Sequence, residues 1–196
     1  MANGRVIPSW HPVRMAVNLF DALQKELSDD AIGRIASFLG ETPAATRAGL
    51  DYTIPAVVGA LVRKVQTTQG VEDVSGILQR GGFNRKPCGN IPDVLKTGAP
   101  VVASLYGDDR ASLTDWISSC TGIRPQSSTL LLTLAAPLVL TVMNREAAAT
   151  DGFNASSIAT LLGEQWRLLR SVAPAGLTTM LELNAPQPKP SVTNAR

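Results

Sequence analysis

The sequence predicts an all-α protein built from two tandem helical repeats with pseudo-twofold symmetry, each centred on a long proline-kinked helix. Three observations lead there. Residues 31 to 70 superimpose without a gap on residues 113 to 152, with identical pairs at Ile35/Ile117, Gly40/Gly122, Pro43/Pro125, Leu50/Leu132, Pro55/Pro137, Arg63/Arg145 and Gly70/Gly152. Apolar residues recur at helical spacing, and no stretch keeps the period-two alternation of a half-buried strand. Glycines and prolines stop and start the segments at matching places in both copies. The shared residues mostly fix backbone geometry and burial, so the duplication specifies architecture more than chemistry.

The organisation that follows is an N-terminal lead-in (1–12), repeat one (13–80), a Gly/Pro-rich linker (81–98), repeat two (99–183) and a disordered Pro-rich tail (184–196). In repeat one, Val13 to Leu27 places Val13, Val17, Phe20 and Leu23 on one helical face. Ser28 caps a second helix whose first-turn Asp29 and Asp30 complement the helix dipole, and Gly40 ends it as a residue free to take positive φ. Thr42 as N-cap and Pro43 at the first helical position open the long third helix. Pro55 then removes a backbone hydrogen bond and crowds the carbonyl four residues back, which predicts a kink or break near Asp51 to Ile54. Val71 to Arg80 is a short helix. The linker carries one helical turn, at Pro92 to Lys96.

Repeat two begins with Pro100 to Tyr106 and turns at Gly107-Asp108. Its helix from Ala111 to Thr121 ends at Gly122, as the counterpart ends at Gly40. Pro125 opens the second long helix, kinked at Pro137. Asn154 caps a helix running through Trp166 and Leu169 toward Val172, and Pro174 to Leu183 forms a last short one. The kinked helices 43 to 66 and 125 to 148 are expected to pack centrally around the pseudo-twofold axis.

Composition excludes several classes of function. Charged residues are 17%, against about 25% in ordinary soluble domains. Lys and Arg number 18 and Asp and Glu 16, a net charge of only +2, far from the clustered basic excess of a nucleic-acid binder. Two cysteines without CxxC spacing fit a reducing compartment. The N-terminus has charges and prolines where a secretory signal needs an unbroken apolar stretch. A cytoplasmic location is therefore expected. Ser127 to Met143 is uncharged and about long enough to span a bilayer. Its counterpart, Ala45 to Leu61, carries Arg47 and Asp51, so both are read as core helices and no transmembrane span is expected.

The stretch LSDDAIGRIASFLGETPAATRAGLDYTIPAVVGALV (Leu27 to Val62), LLLTLAAPLVLTVM (Leu130 to Met143) and the PAGL at Pro174 to Leu177 together resemble the YidB-like bacterial proteins, a family of unknown function. The resemblance implies an all-helical fold and is silent on chemistry. It also implies that some relatives continue into a C-terminal peptidoglycan-binding domain, whereas here thirteen residues follow Leu183, so no envelope anchoring is expected.

Candidate chemistry is sparse. His11 lies in a Pro-rich lead-in without an orienting partner, and with Cys88 and Cys120 it makes too scattered a set for zinc. Cys88 follows Arg85 and Lys86, cations that favour a thiolate, so it reads either as a reactive thiol or as an inert loop cysteine. Cys120 aligns with Phe38 and is expected to be buried. The loop Gly81 to Asn90 has the composition of an anion cradle but not the P-loop spacing, and a hinge is the plainer reading. Trp116 aligns with Arg34 and marks either an inter-copy or inter-subunit contact or plain core packing. Arg63 and Arg145 read as helix C-terminal caps or as a paired basic site. No catalytic, metal or cofactor motif emerges. The expected function is a non-catalytic structural or interaction protein, a homo-oligomer with a possible protein partner. The alternative is a small-ligand module in the groove between the repeats, where the prolines free the carbonyls of Asp51 and Thr133.

Overall fold

The computed structural model describes residues 18–80, Phe83, 90–150 and 155–181. Among these residues there is no strand, and nine α-helices follow in order. They are α1 (Leu19–Glu26), α2 (Asp29–Leu39), α3 (Pro43–Lys64), α4 (Thr68–Arg80), α5 (Ile91–Tyr106), α6 (Arg110–Thr121), α7 (Pro125–Thr150), α8 (Ala155–Val172) and α9 (Leu177–Met180), with one 3-10 turn at Gly107–Asp109.

Local chemistry sets the ends. The Asn18 side chain accepts hydrogen bonds from the amides of Phe20 and Asp21, which starts α1 at Leu19; the expected start at Val13 lies outside the described residues. Ser28 Oγ accepts from the Ala31 amide and Thr42 Oγ1 from the Ala45 amide, capping α2 and α3. Gly40 and Gly122 end α2 and α6 at φ of +65° and +73°, a backbone conformation that penalises any Cβ. Pro43 and Pro125 occupy the first positions of α3 and α7.

The core is built on α3 and α7, which pack against each other. Every residue of α3 from Thr53 to Val62 is buried, and every residue of α7 from Leu134 to Leu140. A helix without a polar face must be covered all round. The cover on α3 comes from α2, α5, α6 and α8, and on α7 from α1, α5 and α6. Among the described residues α7 is the one helix long and apolar enough to cross a membrane, and 72% of its apolar window is buried by the rest of the fold.

Both internal prolines are accommodated without a break: α3 runs through Pro55 and α7 through Pro137. The linker expectation is corrected in part. Instead of one turn at 92–96 and a fresh start at Pro100, α5 is continuous from Ile91 through Pro100 to Tyr106. Pro100 sits on the solvent side, where water can take up the carbonyl its ring displaces. Gly98, which reads as linker, is a packing residue. A Cβ there would stand 2.0 Å from the Thr133 carbonyl oxygen and 3.0 Å from Pro137 Cδ. Pro137 has no amide hydrogen to offer Thr133, and the α5 backbone closes over that carbonyl instead. Gly70 is equally constrained, because its Cβ would lie 1.7 Å from the Lys64 carbonyl oxygen at the α3–α4 turn.

Two turns are clasped together. The Arg124 guanidinium, just before α7, donates to the carbonyls of Leu39 and Gly40 at the end of α2. Glu41 Oε1 accepts from Arg124 Nε at 2.9 Å, from the Arg124 amide at 3.3 Å and from Ser127 Oγ at 2.7 Å. One arginine thus terminates α2 while one carboxylate starts α7. The Ser127 hydroxyl, and then Arg124, hold the Glu41 carboxyl below its ordinary range.

Two predictions follow from this packing. Gly98→Ala or Gly70→Ala meets backbone rather than a movable side chain, so each should cost about 1–3 kcal/mol in urea unfolding, while Gly33→Ala, which meets nothing within 4 Å, should not. Because folding lowers the Glu41 value, its stabilisation is complete above its unfolded pKa of about 4.3 and is lost as pH falls through the lower folded value. Unfolding curves of the wild type and Glu41→Gln should differ at pH 7 and converge toward pH 3.

Candidate functional site

The residues singled out from sequence do not converge on one centre. Arg63 Nη1 donates to the Leu181 carbonyl at 3.3 Å and Nη2 to the Leu105 carbonyl at 3.5 Å, pinning the ends of α5 and α9. The same guanidinium lies near Tyr106, whose phenol is pushed up by burial. Arg145 pairs with Glu26 at the end of α1 and with Glu146. The two arginines therefore hold separate helix ends. Trp116 is half-buried and packs on Tyr52 of α3, with ring centroids 5.5 Å apart. Arg85, Lys86, Cys88, His11 and most of the proposed anion loop lie outside the described residues.

The expectation for Cys120 is corrected: its thiol is exposed. It aligns with Phe38, itself 45% exposed, and both stand near the last turn of a surface helix, on the side facing away from the core. The inference of burial failed because it assigned Phe38 to the core by residue type, whereas the inward positions of α2 are Ile32, Ile35, Ala36 and Leu39. Among the described residues no group of three His, Cys, Asp or Glu side chains could hold a metal ion.

The described residues form two notable cavities. The first, about 290 Å³, is a groove walled by Ala31, Ile35 and Phe38 of α2 and by Ile91 and Val94 of α5, over Leu134 and Leu138 of α7. Arg34 and Asn90 supply its polar rim. It joins the first half of the chain to the second. The other cavity, about 320 Å³, lies among Phe20 of α1, Leu27 just after it, Asp51 and Pro55 of α3, and Val172 of α8. Burial pushes the Asp51 carboxyl up, with Arg47 pulling the other way. Leu50 lines both cavities. The carbonyl of Thr133, expected to be open to a ligand, is instead covered by Gly98.

The first groove is lined mainly by hydrocarbon, with Arg34 and Asn90 as its polar lining. A pocket of this size with an apolar lining and a few polar groups is the usual form of a ligand or side-chain receptor. A profile of bacterial proteins of unknown function, DUF937, matches residues 21–146. The chain belongs to this family. It is the family that includes YidB, in line with the resemblance carried by the Leu27 to Val62 stretch. No curated protein and no solved structure matches the chain. The matched span of the DUF937 family contains α2, the start of α5 and the middle of α7, and so every wall of the first groove.

Sequence reading missed Phe38 as a groove residue and missed the Glu41–Arg124 clasp. The first had a signal, since Phe38 falls off the Ile32, Ile35, Leu39 stripe. The second had none, because Glu41 and Arg124 are not aligned with each other in the two copies. As a check on the placement of α6, a neutral maleimide should label Cys120 in the folded protein without denaturant, read by peptide mass spectrometry. Protection until unfolding would contradict its position.

Proposed function

We propose that this DUF937 protein is a non-catalytic helical interaction protein that self-associates. The observation that carries the reading is the open groove over α7, apolar on three sides, with the aromatic ring of Phe38 exposed at its edge. Soluble proteins keep such combinations where another surface covers them. The proposed setting is the cytoplasm. The near-balanced charge favours protein over nucleic acid as the partner, and no cofactor is invoked.

The architecture behind the proposal is a duplicated helical unit. Support comes from matched details 82 positions apart. Gly40 and Gly122 end equivalent helices in the same left-handed conformation. Arg63 reaches the last turn of α5, and Arg145 the last residue of α1, so each long helix pins the leading helix of the other half. The clasp between Glu41 and Arg124 joins the two equivalent turns. Pro55 and Pro137 stand at the same depth in α3 and α7.

Light scattering coupled to chromatography over a broad concentration series tests the function. A mass of at least twice that of the chain is expected at high concentration, and a monomer throughout would remove the reading. A second reading, a small-ligand module, is favoured by the size of the same groove and its position between the two halves. Under it, a thermal-shift screen of small amphiphilic compounds should raise the melting temperature by several degrees. A screen without a stabilising compound would remove it.

A further inference from the structure

We propose that the groove formed by α2, α5 and α7 is occupied by a second copy of this chain, in a two-fold pair in which each protomer inserts Phe38 into the groove of the other. The proposal rests on the self-association reading and assigns it a location and a geometry.

The other half of the molecule indicates what this groove accepts. At an offset of 82, Arg34 of the groove corresponds to Trp116, and Leu134 of its floor to Tyr52. Trp116 lies against Tyr52 there, and the turn at Gly176 comes within 3.7 Å of the same indole, measured from the Cβ that Gly176 lacks. The counterpart of the groove is thus filled from within by an aromatic ring and closed by the Pro174 to Leu177 turn. Around α2 the corresponding residue is the exposed Arg34, and the space of about 290 Å³ stays open. The missing element is an aromatic side chain.

Phe38 supplies it from outside. Its ring is 45% exposed and stands at the rim of the groove, so knob and hole share one face. Symmetric pairing needs this, because in a two-fold interface residue i of one protomer meets residue j of the other and the reverse contact follows. The volume suffices, since an apolar cavity of roughly 150 Å³ already holds a benzene molecule.

The rim charges are self-complementary as well. Arg34 lies one helical turn before Phe38 on α2, and Asp93 lies in the first turn of α5 between the wall residues Pro92 and Val94. Both are exposed. Laying α2 across the α5 of a second copy brings Arg34 toward the partner's Asp93, twice per dimer. Among the described residues Arg34 makes an exposed helix-surface pair with Asp30 at 3.3 Å, a contact weak enough to be exchanged.

The test is sedimentation velocity of the full chain over a concentration series, with circular dichroism melts to confirm folding. Phe38→Asp should weaken association at least a hundredfold and still melt cooperatively, because the side chain is 45% exposed in the monomer. Arg34→Asp and Asp93→Arg should each weaken it several-fold, and the double variant should recover most of the loss. Full association by Phe38→Asp would overturn the proposal while leaving self-association standing. A double variant no tighter than the single ones would overturn the two-fold geometry. If instead the N-terminal segment or an unrelated partner fills the groove, Phe38→Asp will not change the dissociation constant. A wild type that is monomeric at every concentration removes the self-association reading itself.

Discussion

Two helices whose middle stretches, Thr53 to Val62 and Leu134 to Leu140, are buried on every side dictate the remainder of this molecule. Burying α3 and α7 against each other covers only one flank of each, and the hydrophobic cost of the remaining flanks is met by wrapping the other helices around the pair. The amphipathic helices α1, α2, α4 and α8 each present an apolar stripe inward and a charged stripe outward. Successive helices pack together at α2–α3 and α6–α7, but the most extensive contacts, α3–α7, α5–α7 and α3–α8, join helices that are not successive in sequence. Where two backbones approach most closely, at Gly98 over Thr133, the absence of a side chain is the condition for contact.

Charge is used sparingly and at helix ends. Arg63, Arg124 and Arg145 each reach beyond their own helix to a carbonyl or carboxylate at the end of another. These are the places where helices leave backbone groups without intrahelical partners. Guanidinium groups suit the task because several donors diverge from one planar head. Charged residues make up 17% of the chain, and of the two cavities the one over α7 is mainly apolar while the other also takes in Arg47 and Asp51.

Much of the fold was legible because the signals were local. The caps at Ser28 and Thr42, the left-handed glycines at positions 40 and 122, and the starts at Pro43 and Pro125 each depend on a few adjacent residues. Failures came where tertiary packing overruled local preference. Gly98 and Pro100 resemble a linker in isolation, yet the first is required by the close approach to α7 and the second tolerated by solvent. Cys120 and Phe38 look like core residues by type and lie outward by register. A groove between the two halves was expected, but at the carbonyls of Asp51 and Thr133; the residues that wall the observed one come from three separate segments and were not legible as a set.

Leu50 carries a consequence of its own. It is 1% exposed and lines both cavities. A branched four-carbon group therefore stands in the wall of both recesses, and a shorter residue at this one position would enlarge the two at once.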